Sequence, residues 1–272
     1  MPTGAEAAAF SGLPPVILLH GFAQHGSSWD GIAAMLRARG FQVSAPDLRE
    51  VAESAETSGV SDPLDAVCRG IAALARSVGE GTAHPPVAVG YSMGGRLALE
   101  TLVRFPHGFP ICGLVLESAG LGPASDADRA ATRRRNEARA VEVLRVGVGQ
   151  FMDAWEKLPL FASQQNLAES VRSRVREGRL ANSADDLALQ LDGWGQHRQA
   201  ARAQAFAVLS DLTRRGVPVR YVTGELDGKY AALAQELARE IPGVDVRLIL
   251  EAGHNTHLEQ PERFVSAVAE GW

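Results

Sequence analysis

The sequence has few cysteines and no long apolar run. Cys68 and Cys112 are the only cysteines among its 272 residues. Because their spacing fits neither a metal-ligand pattern nor a disulfide framework, we expect both to be buried, reduced thiols. No apolar stretch approaches the ~18 residues that a membrane span requires. Residues 1–12 have neither a basic leader nor a continuous apolar core, so we expect no signal peptide and a cytoplasmic location.

The chain also lacks an excess of basic charge. Its 27 Lys and Arg residues are outnumbered by 32 Asp and Glu residues, which gives a net charge of −5. Nucleic-acid binding usually requires a basic face, so this balance argues against a nucleic-acid partner. A composition of 46% hydrophobic and 22% charged residues is typical of a globular protein, and it leaves the oligomeric state open.

Six short apolar runs rich in Val, Ile and Leu alternate with segments of helical spacing. The apolar runs cover residues 15–21, 41–48, 86–92, 111–118, 217–224 and 244–253. Helical spacing is found over residues 28–39, 63–78, 93–105, 229–241 and 261–270. This alternation predicts an α/β fold with a mainly parallel sheet flanked by helices. The runs are apolar throughout because both faces of such a sheet are buried.

Residues 120–205 interrupt the alternation with successive helical stretches and no good strand. Residues 126–202 carry 13 Lys and Arg against 11 Asp and Glu, whereas the rest of the chain carries 14 against 21. Most of these arginines are expected on solvated helix faces. We predict that residues 120–205 form an inserted helical cap, which turns some arginines toward an anionic ligand. The core would comprise residues 1–119 and 206–272.

The sequence GYSMG, residues 90–94, has the form G-x-S-x-G between an apolar strand and a helical pattern. This context is typical of a nucleophile elbow, a tight turn that lifts a serine hydroxyl above the sheet edge. We therefore predict that Ser92 is the catalytic serine. The backbone N–H groups of Met93 and of Phe22, in the loop after the first strand, would form the oxyanion site. His20 is expected to be a structural partner of that loop.

A catalytic serine needs a histidine base and an acid that orients the base, in the chain order serine, acid, histidine. Asp227 lies in the loop after the fifth strand, and His254 lies in the turn after the last strand. We predict that these residues complete a catalytic triad. Glu225 and Glu117 remain alternative acids. His257 lies past the turn and is expected at the surface or behind the catalytic residues.

Four motifs together resemble the α/β-hydrolase superfamily over nearly the whole chain. They are LHGF, GYSMGGR, GELDGKY and AGHNTHLEQPERF. The cap sequences narrow the resemblance to one branch, the menaquinone-pathway synthases that make 2-succinyl-6-hydroxy-2,4-cyclohexadiene-1-carboxylate. The resemblance implies an α/β-hydrolase fold with an inserted helical cap.

The resemblance also implies a lyase rather than a hydrolase. Ser92, activated by His254, would abstract a proton from a cyclohexene ring that carries succinyl, carboxylate and enolpyruvyl groups, and pyruvate would be eliminated. The oxyanion site would hold the enolate of the succinyl ketone, so neither a metal nor an organic cofactor is needed. The implied partner is a small tricarboxylate substrate, without nucleic acid or membrane.

A buried carboxylate needs paired donors, which arginine supplies best. Arg96 lies one helical turn after Ser92 and can share a face with it. The sequence G-G-R after the elbow also matches the family. By the same resemblance, Tyr91, Trp155 and Phe161 match positions that line the substrate pocket.

The cap arginines follow the family pattern less closely. The family's arginine in the first cap helix falls near Thr132 in an ungapped comparison, between Arg129 and Arg133, and we favour Arg133. The second cap arginine matches Arg179 better than Arg176.

One departure from the family pattern and two alternative classes of function remain. After Leu48, the sequence REVAESAETSGVSD replaces the family's glycine-histidine-glycine loop, which allows a shifted substrate preference. A serine hydrolase, either an esterase or a carbon–carbon bond hydrolase, would use the same triad, although neutral esters give no reason for several pocket arginines. A non-catalytic binding protein of this fold would usually have a broken triad, whereas this one is intact.

Overall fold

The structure is a computed structural model that describes residues 12–56 and 59–272, and its centre is a six-stranded sheet. The strands are β1 (Val16–Leu19), β2 (Val43–Ser44), β3 (Val87–Tyr91), β4 (Gly113–Glu117), β5 (Val219–Gly224) and β6 (Val244–Ile249). Their order is β2-β1-β3-β4-β5-β6, and every neighbouring pair is parallel. The predicted parallel sheet flanked by helices is confirmed. Residues 1–11, part of the stretch expected to lack a signal peptide, lie outside the described residues.

Helices cover both faces of the sheet, which explains why the strands are apolar throughout. In β1, Ile17 and Leu19 pack on one face, whereas Val16 and Leu18 pack on the other. The first face is covered by α2 (Leu48–Glu56), α3 (Pro63–Gly79), α4 (Met93–Arg104), α8 (Arg202–Arg214) and α9 (Gly228–Glu240). The second face is covered by α1 (Asp30–Arg37) and α11 (Pro261–Ala269), and α11 follows the short helix α10 (Thr256–Glu259).

The region around β2 differs from the sequence expectation. The sequence predicts a strand over residues 41–48, but β2 is only two residues long. Pro46 has no N–H group to donate to a neighbouring strand, which ends the pairing. Leu48 then begins α2, a helix at a place where the sequence predicts a loop. Gly70 of α3 lets α2 pack closely, because a Cβ at Gly70 would lie 2.2 Å from the carbonyl oxygen of Val51.

Between β4 and β5 the described chain is helical and contains no strand. It comprises α5 (Asp126–Trp155), a 3-10 segment (Pro159–Asn166), α6 (Glu169–Leu180), α7 (Ala184–Ala188), a π-helical turn (Leu189–Gly193) and a 3-10 turn (Gln196–Arg198). α5 is kinked at Gly147, which has φ 79°. The division at residues 120 and 205 stays a prediction, and α8 spans its second boundary. Below, residues 120–205 are called the cap.

The cysteines are free but are not equally buried. Cys68 is buried, and this burial raises the pKa of its thiol to about 12. Cys112 is only half-buried, which corrects the expectation for this residue. It lies just before β4, where the sheet meets the surface, and its Sγ donates to the carbonyl oxygen of Pro85 at 2.9 Å. None of the described helices is both long and apolar enough to cross a bilayer.

Candidate active site

Ser92 lies at the sharp turn between β3 and α4. Its backbone angles, φ 47° and ψ −103°, are rare for a residue with a side chain. A Cβ at Gly90 would lie 2.5 Å from the backbone nitrogen of Gly95, and a Cβ at Gly94 would lie 2.1 Å from the carbonyl oxygen of Leu19. Larger residues at Gly90 and Gly94 would therefore separate the strand from the helix, and the glycines hold Ser92 above the sheet edge.

The structure brings Ser92, His254 and Asp227 into one hydrogen-bonded row. The Oγ of Ser92 lies 3.1 Å from Nε2 of His254, and Nδ1 of His254 lies 2.7 Å from Oδ2 of Asp227. An ionised carboxylate can only accept, so the proton of the imidazole belongs on Nδ1. Nε2 is then free to accept the serine proton. His254 and Asp227 are both buried, which protects this arrangement from water.

The alternative acids are engaged elsewhere. Glu117 is fully buried, and its carboxylate accepts hydrogen bonds from Oγ1 of Thr256 at 2.7 Å and from Nδ1 of His257 at 2.7 Å. These bonds fix the segment that follows His254, so His257 lies behind the catalytic residues and not at the surface. Glu225 is exposed, and its carboxylate accepts a backbone N–H at 3.2 Å.

The expected oxyanion donors lie on two neighbouring segments. Met93 begins α4, so its N–H has no acceptor within the helix and lies at the positive end of the helix dipole. Phe22 lines the same cavity as Ser92. His20 holds the Phe22 loop from the core side, since its Nδ1 donates to the carbonyl oxygen of Gly21 at 2.9 Å and its Nε2 accepts from the N–H of Leu48 at 3.0 Å.

A cavity of about 290 Å³ lies between the sheet edge and the cap. Its walls include eight of the predicted site residues, and Met93, Asp227 and Arg133 are not among the residues that line it. The eight that line the cavity are Phe22, Tyr91, Ser92, Arg96, Trp155, Phe161, Arg179 and His254. An aromatic row crosses it, because the ring centroids of Phe22 and Trp155 are 4.6 Å apart and those of Trp155 and Phe161 are 6.0 Å apart. Phe161 then meets His254 edge-on at 6.2 Å.

Arg96 forms no ion pair with a carboxylate in the part of the chain that the structure describes. It lines the cavity, and its Nη1 is buried with no hydrogen-bond partner within residues 12–56 and 59–272. Burial lowers the pKa of its guanidinium. A buried, unpaired guanidinium group is costly unless a ligand supplies an acceptor. The position of Arg96 is therefore suited to an anionic group placed one helical turn from Ser92.

The structure does not bring Arg133 to the cavity. Arg133 is exposed, and Arg129 donates to the backbone carbonyls of His197 and Gln199 at 2.7 Å each. The cavity wall is instead formed by Thr132, Arg135, Asn136 and Arg139, which share one face of α5. Residues three, four and seven apart face the same way on a helix, and Arg133 lies about 100° around from Thr132.

Sequence reasoning missed Arg135 and Arg139. Arg135 Nη2 donates to Oγ1 of Thr132 at 3.2 Å, so a guanidinium lies beside the position where the family's arginine aligns. Arg139 lies over the ring of Trp155 at 5.1 Å. Burial, followed by repulsion from Arg135, lowers the pKa of Arg139. Applying the helical period to Thr132 would have pointed to both residues.

Arg179 lines the cavity and is buried, whereas Arg176 does not line it. The Nη1 of Arg179 lies 3.1 Å from Oε1 of Glu156, and its Nη2 donates to Oε1 of Gln164 at 3.2 Å. Its guanidinium also lies over the ring of Phe161 at 5.1 Å. Arg176 is bonded to Asp153 and Glu156 at the cap surface. The match to Arg179 thus places a guanidinium at the cavity, although Glu156 neutralises part of its charge.

The described residues contain no group of three His, Cys, Asp or Glu side chains that could hold a metal ion. The groups that line the cavity include the serine and histidine of the row and four arginines. Those arginines are Arg96, Arg135, Arg139 and Arg179.

The comparisons with known proteins agree with this geometry. The alpha/beta hydrolase family matches residues 16–267. The chain is 34% identical over 260 residues to a putative 2-succinyl-6-hydroxy-2,4-cyclohexadiene-1-carboxylate synthase of Bacillus subtilis (strain 168), covering 94% of this chain and 89% of that protein. It is 31% identical over 265 residues to the 2-succinyl-6-hydroxy-2,4-cyclohexadiene-1-carboxylate synthase of Citrobacter koseri, covering 95% and 94%.

The fold is also similar to that of a solved structure, MenH from S. aureus. The TM-score is 0.81 and the identity is 27%, with 94% of this chain and 92% of that chain covered. The family match spans the sheet, the elbow and all three members of the hydrogen-bonded row. This chain belongs to the alpha/beta hydrolase family.

Proposed function

We propose that this chain is a lyase that makes 2-succinyl-6-hydroxy-2,4-cyclohexadiene-1-carboxylate for menaquinone biosynthesis. It acts in the cytoplasm on a small tricarboxylate and eliminates pyruvate from it. The names of the relatives support this function. The observation that carries it is Arg96, a guanidinium with a buried, unpaired Nη1 in the same cavity as Ser92.

The reaction begins with proton transfer from the ring carbon beside the succinyl ketone. Ser92 takes this proton as His254 accepts the serine proton through Nε2, and Asp227 stabilises the imidazolium. The electron pair moves onto the ketone oxygen, where the N–H groups of Met93 and Phe22 hold the enolate. When the enolate collapses, the carbon–oxygen bond to the enolpyruvyl group breaks. The existing ring double bond shifts as this bond breaks, and the leaving enolpyruvate takes up the proton held by His254 and becomes pyruvate, so that two conjugated double bonds remain in the ring.

Charge distinguishes this reaction from ester hydrolysis, the second candidate. Four arginines line the cavity, and only Arg179 among them is paired with a carboxylate, that of Glu156, within the described residues. A neutral ester gives these cations no partner, whereas three substrate carboxylates do. The triad itself serves either reaction.

The test is to follow pyruvate release and diene absorbance when the purified protein is given the succinyl-enolpyruvyl substrate. We expect turnover by the wild type. Arg96→Ala should reduce kcat/KM on the order of 30- to 4,000-fold, because losing a buried charge partner costs on the order of 2–5 kcal/mol. Arg96→Lys should recover only part of the lost kcat/KM, since an ammonium cannot donate two parallel hydrogen bonds to one carboxylate.

A neutral ester such as an acetyl phenol is the control substrate. Loss confined to the anionic substrate supports the lyase assignment. An equal loss of kcat/KM on both substrates would show that Arg96 supports the elbow and does not bind a carboxylate. Hydrolysis of the ester without any pyruvate release would favour the hydrolase.

A further inference from the structure

The backbone of Ala23, directly after the expected oxyanion donor Phe22, is held by the cap. The N–H of Ala23 donates to Oε1 of Gln190 at 2.9 Å, and its carbonyl oxygen accepts from Nδ2 of Asn182 at 3.2 Å. All the groups in these two bonds are buried. Both polar groups of one core residue are therefore satisfied by side chains about 160 residues further along the chain.

Ala23 needs this support. Its φ of 55° places it in the left-handed region, which a residue with a Cβ rarely adopts. Such conformations persist where the surrounding structure imposes them. Its methyl group packs within the apolar cluster of the cap, beside Leu187 and Leu191, and not within the two clusters of the sheet.

The two cap residues lie close to the groups of the cavity, because Gln190 is part of the cavity wall and Asn182 is bonded to the backbone of Arg179. Gln190 lies in the π-helical turn Leu189–Gly193, a type of turn often found at functional sites. Asn182 also donates to the carbonyl oxygen of Arg179 at 3.0 Å. The segment that carries a cavity arginine and the loop that carries Phe22 are thus joined through one amide.

We propose that Gln190 and Asn182 are positioning residues, which hold Ala23 so that the neighbouring N–H of Phe22 stays directed at the oxyanion. Gln190 carries the larger share, because it binds the N–H adjacent to that of Phe22. The enolate role rests on the proposed function. The role in placing the oxyanion donor does not, because any reaction of Ser92 that develops an oxyanion would use it.

The decisive variant is Gln190→Met, which has nearly the same size but lacks the acceptor. We expect kcat for pyruvate elimination to fall roughly tenfold with KM changed less than about twofold. A donor that is misplaced costs less than the hundredfold or more of a donor that is lost. Gln190→Glu keeps an acceptor oxygen and should retain the reactivity of Ser92 toward a neutral reagent.

A second measurement is independent of turnover. Phenylmethylsulfonyl fluoride is neutral, and its reaction forms a bond from sulfur to Oγ of Ser92 and releases fluoride while His254 accepts the proton. Its rate, followed by intact mass, should fall by a similar factor in Gln190→Met and stay near wild type in Gln190→Glu. If the wild type releases no pyruvate, the proposed function fails and this measurement still decides the role of Gln190.

Gln199→Met is the matched control. Gln199 is a buried cap glutamine whose side chain donates to the carbonyl oxygen of Trp194 at 3.3 Å; it differs from Gln190 in that Gln190 lines the cavity and Gln199 does not, which is why KM is measured beside kcat. Gln199→Met should leave the rate of pyruvate release and the rate of sulfonylation within about twofold of the wild-type values. Equal losses in the Gln190 and Gln199 variants would mean general loosening of the cap and would overturn the proposal. A rise in KM alone in Gln190→Met would make Gln190 a substrate contact and would also overturn the proposal. Sulfonylation of Gln190→Met at the wild-type rate would overturn it as well.

Discussion

Two sides of one cavity are built in different ways. On the sheet side, Ser92, His254 and Asp227 each follow a strand end, and their separations are fixed by backbone that the sheet holds rigid. On the cap side, the arginines of α5 and α6 project from helices that pack largely on one another, whereas Arg96 belongs to the sheet side because it lies on α4. The reactive groups therefore depend on local turns, whereas the groups suited to charge recognition depend on helix rotation and on packing between helices.

The contrast between the two sides indicates where a functional residue can change position in the sequence without leaving the cavity. Arg135 and Arg139 lie on the face of α5 that contains Thr132, whereas the sequence comparison, which placed the cap arginine near Thr132, favoured Arg133. A guanidinium can move by one turn on a helix and still reach the same cavity, because its side chain is long. No comparable shift is open to Ser92, whose hydroxyl depends on one strained turn between glycines.

The largest effect is expected on the sheet side. Ser92→Ala, His254→Ala and Asp227→Asn should each reduce kcat about 10³-fold or more while the protein stays folded, and combining two should cost little beyond one, because the residues act as a unit. Steady-state pyruvate release measures kcat, and circular dichroism shows whether each variant is folded. Glu225→Gln is the matched control and should retain activity. Wild-type turnover by a folded Asp227→Asn variant would show that another carboxylate orients His254.

An intermediate effect is expected on the cap side. Arg135→Ala should raise KM for the tricarboxylate about tenfold, since a hydrogen bond to a charged group contributes about 1.5–3 kcal/mol and this partly exposed site is screened by water. Arg133→Ala, two residues away on another face of α5, should change KM less than about twofold. Measuring KM for the tricarboxylate at low and high salt would compare the two variants. If Arg133→Ala were the more damaging change, α5 would have to rotate when substrate binds.

The smallest effect concerns the ion pair of His25 and Asp47, where loops of the core approach α7. Nδ1 of His25 lies 2.8 Å from Oδ2 of Asp47. The hydrogen bond to Asp47 raises the pKa of His25 above its ordinary value of 6.5. Burial acts to raise the pKa of Asp47, but the hydrogen bonds from Nδ1 of His25 and from the backbone N–H of Arg49 outweigh it and hold that pKa well below its ordinary value of 3.8.

Asp47→Asn should therefore lower the free energy of unfolding by about 1–2 kcal/mol near pH 6. The contribution of His25 is fully present below pH 6.5 and is lost as the pH rises through its raised pKa, whereas that of Asp47 is present above pH 3.8 and is lost as the pH falls. Thermal unfolding from pH 4 to 9 should show the largest difference from wild type between about pH 4 and 6.5. Asp211→Asn removes an exposed ion pair and should show no such window. A difference independent of pH would contradict this assignment.

The sequence alone determined the apolar strands, the elbow and the loops that carry the histidine and the acid, because residues close in the chain mark each of them. Apolar runs form buried strands, and glycines beside Ser92 permit one tight turn whatever surrounds it. The row itself joins Ser92 to His254, 162 positions further on. Asp227 was chosen over Glu225 and Glu117 only when the fold brought these loops together.

The sequence could not determine which face of α5 meets the cavity, why Glu117 binds His257, or that Gln190 binds Ala23. Those depend on contacts between residues far apart in the chain, where a rotation of 100° changes which side chain faces the cavity. Only the tertiary structure decided them.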